Sequence, residues 1–135
     1  MPKLKIVVLY DRWETEEDAT GDNKPLVREL DKKEVEEEVA ETLGKLEHEP
    51  VLHVLDGSVR SLHALARLDC DLVFNLAESF AGNDTADVSI AAYLELIGKR
   101  YTGAGPHGLM MAQDKGLAKK IFAFHGIHTP VFARS

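Results

Sequence analysis

Residues 71–132 read DLVFNLAESFAGNDTADVSIAAYLELIGKRYTGAGPHGLMMAQDKGLAKKIFAFHGIHTPVF. The first six residues, 71–76 (DLVFNL), read as a strand. A polar loop follows over 77–84. Thr85 or Asp84 is placed to cap a helix reaching about Ile97, on which Ile90, Leu94 and Ile97 are spaced to face a core, and Gly98 ends it. Residues 99–102 read as a short strand. Gly103-Ala104-Gly105 turns sharply, and Pro106 stands at the favoured first position of a further helix. Asp114 opens another, with Leu117, Ile121 and Phe124 on one face and Gly126 at its end. Residues 129–133 are extended, because the residue before Pro130 is pushed out of the α region.

The N-terminal half has the same alternation. Residues 4–10 (LKIVVLY) are almost continuously apolar and suit a parallel strand buried on both faces. Asp31 is placed to cap a helix from Lys32 to about Glu47, with Glu34 completing a capping-box pattern. Val35, Val39, Leu43 and Leu46 make its apolar stripe. Residues 51–55 (VLHVL) read as a strand, Asp56-Gly57-Ser58 as a turn with an N-cap, and residues 59–68 as a helix with Leu62, Leu65 and Ala66 inward. The acidic stretch 14–22 (ETEEDATGD) reads as a solvated loop between the first strand and the first helix, with an active-site flap as the alternative. Strands and helices in strict alternation imply a Rossmann-like α/β fold, an open parallel sheet with helices on both faces, in a single domain.

Composition narrows the function. The chain has 135 residues, 44% of them hydrophobic and 29% charged, as in an ordinary globular domain. Its formal charge of −7 argues against non-specific nucleic-acid binding, which needs a basic surface. No apolar run approaches the roughly 18 residues of a membrane span. The first residues run from a short apolar stretch straight into charge, unlike a signal peptide. A single cysteine, Cys70, rules out an intrachain disulfide and makes a cytoplasmic setting the default. The six histidines lack metal-ligand spacing; His125 and His128 straddle Gly126. No metal site is expected.

In open parallel sheets, ligands bind beyond the carboxyl ends of the strands. Those ends are Tyr10-Asp11-Arg12, Leu55-Asp56-Gly57, residues 75–84 and Gly103-Ala104-Gly105. The third is richest: Asn75, Glu78, Ser79, Asn83 and Asp84 share one short loop with Gly82. Their small polar groups offer donors and acceptors to a ligand. As residues alone, they also fit a turn in which Asp84 caps the next helix.

Four segments carry a resemblance to a known family. Gly82-Asn83-Asp84-Thr85 is followed by Leu94-Glu95-Leu96-Ile97-Gly98-Lys99-Arg100-Tyr101-Thr102-Gly103-Ala104-Gly105. Then come Met110-Met111-Ala112-Gln113-Asp114-Lys115 and His125-Gly126-Ile127-His128-Thr129-Pro130. In this order they resemble the first domain of D-alanine–D-alanine ligase-like ATP-grasp proteins. That family has G-E-D-G after its third strand, then L-E-x-x-G-I-P-Y-x-G-S-G, then M-D-K, then A-G-I-P-x-P. Two departures fall on substrate-facing positions. The family's histidine-glycine pair after the third strand is replaced by Asn75-Leu76-Ala77-Glu78, and its glycine-rich first loop by Asp11-Arg12-Trp13-Glu14.

The resemblance implies a pre-ATP-grasp domain over residues 1–135, with the central and C-terminal ATP-grasp domains outside the chain. It implies an ATP- and magnesium-dependent carboxylate–amine ligase that makes an acyl phosphate for an amine to attack. This domain would bind no cofactor alone and would be inactive alone. Asn75, Glu78 and Asp84 would face an amino acid or peptide-like substrate, and Lys115 would contact the nucleotide phosphates. The partners implied are the remaining ATP-grasp domains and a second copy, as a homodimer. A stand-alone, non-catalytic α/β module that binds a ligand or protein is the alternative.

Overall fold

A computed structural model describes residues 2–13 and 34–127. The expected cap at Asp31, the loop over 14–22, His128 and the extended segment over 129–133 lie outside the described residues. Within them run β1 (Lys5–Asp11), α1 (Val35–Lys45), β2 (Glu49–Leu55), α2 (Val59–Arg67), β3 (Leu72–Asn75), α3 (Asp87–Leu96), α4 (Pro106–Gln113) and α5 (Lys115–Phe124).

The three strands form one parallel sheet in the order β2-β1-β3. Lys5 pairs with Glu49 on one side of β1, and Ile6 with Leu72 on the other. The central position explains the continuous apolar run of β1, since Ile6, Val7, Val8 and Leu9 are all buried. Side chains alternate along a strand. Val7 and Leu9 therefore share a face, and they enter a cluster with Leu55, Leu65, Val73, Ala77, Ile90 and Leu94. Ile6 and Val8 point the other way and are equally buried, so that face is covered too. There α1 packs on β1 and β2. Each fully buried leucine contributes about 1.5–3 kcal/mol relative to exposure. This cluster, joining two helices to all three strands, is the main source of stability.

Several local signals act as expected. Ser58 caps α2, its hydroxyl accepting from the Ser61 N–H at 3.1 Å. Pro106 opens α4. Asp114 caps α5 by accepting from the Leu117 N–H at 3.0 Å.

Other readings are corrected. β2 starts at Glu49 rather than Val51 and includes Pro50. A proline lacks the N–H of a ladder, which an edge strand tolerates. On α2 Ser61 and Leu65 are buried and Leu62 packs partly buried against the core, as expected of Leu62 and Leu65; Ala66, one step further round the helix, is exposed. On α1 only Val39 and Leu43 of the stripe are half-buried, while Val35 and Leu46 at its ends are exposed. The expected fourth strand is reduced to one parallel bridge, Val73 with Tyr101. The Thr102 hydroxyl accepts from the Asn75 N–H at 3.0 Å, so a side chain replaces the next rung of the ladder. On α5 the face of Leu117, Ile121 and Phe124 forms but is not covered: Phe124 is 86% exposed. That helix packs on α4 and on no other described element.

Candidate functional site

The carboxyl ends of β1, β2 and β3 bring three loops together. Parallel pairing in register does this, because Asp11 faces Leu55 and Leu9 faces Asn75 across the sheet. Asp11 is the hub. Its Oδ2 accepts from the Glu78 N–H at 2.7 Å and the Ser79 N–H at 3.2 Å, and its Oδ1 accepts from the Ser79 hydroxyl at 3.0 Å. One carboxylate at the end of β1 thus fixes the loop leaving β3.

That loop continues into a tight reversal. Phe80 and Asn83 exchange backbone hydrogen bonds of 3.2 and 2.9 Å around Ala81 and Gly82. Both central residues have positive φ, 52° and 78°, as a two-residue primed turn demands. Asn83 then accepts through Oδ1 from the Thr85 N–H at 3.0 Å and the Thr85 hydroxyl at 2.7 Å. Asn83, and not Asp84, organises the approach to α3, whose first turn has no side-chain cap. The turn leaves Asp84 exposed.

Trp13 lies over this edge. A Cβ on Gly57 would come within 2.6 Å of its ring, and one on Gly82 within 3.2 Å. The indole therefore packs on two glycines from different loops, each with positive φ. Its exposure is still 48%. Arg12 beside it turns away, its guanidinium 3.7 Å from Glu36 and 5.7 Å from the Tyr10 ring centroid.

Asp56, on the neighbouring loop, accepts through Oδ1 from the Ser58 hydroxyl at 2.5 Å and the Ser58 N–H at 3.0 Å. The Ser58 hydroxyl, followed by its N–H, holds the Asp56 carboxyl below the usual aspartate range. On the far side of the sheet end, the Tyr101 hydroxyl donates to Glu95 at 2.7 Å. Removal from water, reinforced by Glu95, pushes the Tyr101 phenol up to about 12.

The candidate residues divide accordingly. Asn75 and Glu78 stand at the same strand end, Asn75 half-buried with its Oδ1 accepting from the Ala77 N–H at 3.1 Å. Glu78 is exposed, with its backbone held by Asp11. Asp84 lies beyond the turn. Lys115 is exposed at the first position of α5, on an element that touches only α4. Among the described residues, no group of three or more His, Cys, Asp or Glu side chains could hold a metal ion. Asp11 and Trp13 gain roles that residue type alone did not suggest. The available signal was an aspartate ending a strand and two strand-end glycines awaiting an aromatic partner.

The architecture defines an open parallel α/β domain with its polar loops gathered at one edge of the sheet. Its sequence places it more narrowly: the chain is D-alanine–D-alanine ligase-like. It is 35% identical over 103 residues to the D-alanine–D-alanine ligase of Bordetella pertussis (strain Tohama I), covering 72% of this chain and 32% of the relative. It is 30% identical over 128 residues to that of Marinomonas sp. (strain MWYL1), covering 94% and 36%. With the ligase of Janthinobacterium sp. (strain Marseille) the identity is 36% over 80 residues, covering 59% and 24%. The chain spans about a third of the length of the first two relatives. No protein-family model matches it, and no solved structure matches it. No helix among the described residues is long and apolar enough to cross a membrane.

Proposed function

We propose that this chain is the substrate-side region of an ATP-dependent carboxylate–amine ligase. The observation that carries the reading is the 35% identity, over 72% of the chain, to a protein named D-alanine–D-alanine ligase. Asn75 and Glu78 form the wall that faces an amino acid or peptide-like substrate, with Asp11 setting the loop and Asp84 at its rim. Lys115 meets the ATP phosphates. The support is its place in the segment 110–115 that resembles the family's M-D-K motif, and its exposure at the start of α5. ATP and magnesium belong to the whole enzyme, whose remaining ATP-grasp domains are the partner of this region. The 135 residues alone neither bind the metal nor ligate. The enzyme works as a cytoplasmic homodimer.

The test uses a longer protein containing this sequence. Magnesium-dependent ADP release in the presence of amino acids is expected there and not from the 135-residue chain. Lys115→Ala is expected to raise the KM for ATP about ten- to a hundred-fold, as loss of a charge-assisted hydrogen bond of roughly 1.5–3 kcal/mol requires. Lys119→Ala controls for general loss of charge. Unchanged ATP kinetics in Lys115→Ala removes the nucleotide role, and absence of ADP release removes the ligase reading.

A further inference from the structure

We propose that Trp13 is a specificity-determining residue, whose open indole face takes the cationic side chain of a small ligand, with Glu78 and Asp56 supplying the opposing charge. This rests on the substrate-side reading of the sheet edge and names the chemistry of the substrate: an amino acid bearing a guanidinium or ammonium side chain.

The geometry has three parts. First, the indole is backed by two glycines. Gly57 and Gly82 lie so close beneath it that a methyl group on either would meet the ring at 2.6 or 3.2 Å. Yet Trp13 remains 48% exposed. A large apolar surface backed by two glycines and about half exposed, at the edge of a parallel sheet where ligands of such folds bind, is a platform.

Second, the surroundings are anionic. Asp56 precedes Gly57 in the chain and is exposed, with its carboxylate stabilised by two hydrogen bonds from Ser58. Glu78 is exposed, and its backbone is tied to Asp11, two residues before Trp13. Arg12, the cation nearest in sequence, is directed to Glu36 and the Tyr10 ring.

Third, tryptophan has the best aromatic face for a cation. An anionic group would meet the repulsion of the carboxylates. A methyl side chain would leave both the ring face and the charges unused.

Trp13 is the only tryptophan of the chain, so intrinsic fluorescence reports this position alone. The 135-residue chain is titrated with arginine, alanine and glutamate at matched ionic strength. A saturable change in emission is expected with arginine and not with alanine or glutamate. Glu78→Gln, a change to an exposed side chain, is expected to weaken the arginine response about two- to five-fold. Trp13→Phe, followed by ligand-observed nuclear magnetic resonance, is expected to weaken binding by a similar two- to five-fold factor. No response to arginine, an equal response to alanine, or an unchanged affinity in both variants overturns the proposal. Each of these outcomes concerns only the cation site proposed at Trp13 and Glu78. The ligase reading stands or falls separately on ADP release by the longer protein.

Discussion

Removing the Asp11 carboxylate tests how the sheet edge is built. It accepts three hydrogen bonds from the loop after β3, at 2.7, 3.2 and 3.0 Å. A hydrogen bond to a charged group contributes roughly 1.5–3 kcal/mol net when well shielded. Here Glu78 is exposed, so water replaces part of what is lost. Asp11→Ala is therefore expected to cost about 1.5–3 kcal/mol in all, and not the sum of three such bonds. With a urea dependence of roughly 1.5 kcal/mol per molar, the unfolding midpoint falls by about 1–2 M. Asp11→Asn keeps one carbonyl acceptor and should lose less. Ser79→Ala removes the hydroxyl donor, and a double-mutant cycle with Asp11→Ala should show a coupling of about 0.5–1.5 kcal/mol. Because Gly82 lies under Trp13 on the same loop, tryptophan emission should also change in folded Asp11→Ala. A loss below about 0.5 kcal/mol, the range of an ordinary surface change, with strict additivity in the cycle, would refute the role given to Asp11.

Three further outcomes follow from the same geometry. Leu94, fully buried in the central cluster, should cost about 2–5 kcal/mol as Leu94→Ala, by lost transfer and an unfilled cavity, read as a urea midpoint shift; Leu96→Ala at an exposed position should cost little. The Tyr101 phenol, raised from 10 to about 12, contributes stability that is complete below pH 10 and is lost as pH rises through about 12; Tyr101→Phe should flatten the alkaline fall in urea midpoint across that window. Burial pushes the Cys70 thiol up, outweighing the opposing effect of Lys99, so its reaction with an aromatic disulfide at pH 8 should be slower than that of a free cysteine, and urea should restore the free rate.

The strands and helix stops were legible where a single local cause dominates. The apolar run around Val7 and Val8, Pro106 at a helix start and Asp114 as a cap all act within a few residues. Reading failed where the deciding contact is remote. Ala66 was assigned inward because periodicity fixes a stripe but not its rotation; the Tyr93 hydroxyl, donating to the Leu62 carbonyl at 2.6 Å, helps set that rotation. Asp84 has the residue type of a cap, but the reversal at Ala81-Gly82 leaves it exposed, and Asn83 orders the turn before α3 by accepting from Thr85. The positions of Asn75 and Glu78, at the end of β3 and just beyond it, were legible from the strand pattern alone. Asp11 was legible as a strand end and Trp13 only as a departure from a family loop; their contacts depend on how β1 registers against β2 and β3.

The strand order has a consequence for synthesis on the ribosome. Of the three described strands β1 emerges first, yet it lies between the other two, so its described partners come only with Glu49–Leu55 and then Leu72–Asn75. Through that interval the most apolar segment of the sheet presents two open edges, the condition that invites mispairing between nascent chains. Closure depends on contacts distant in sequence, which slows folding. Nascent chains halted before Leu72 should therefore bind holding chaperones, and those extended far enough past Leu94 to complete the central cluster should release them.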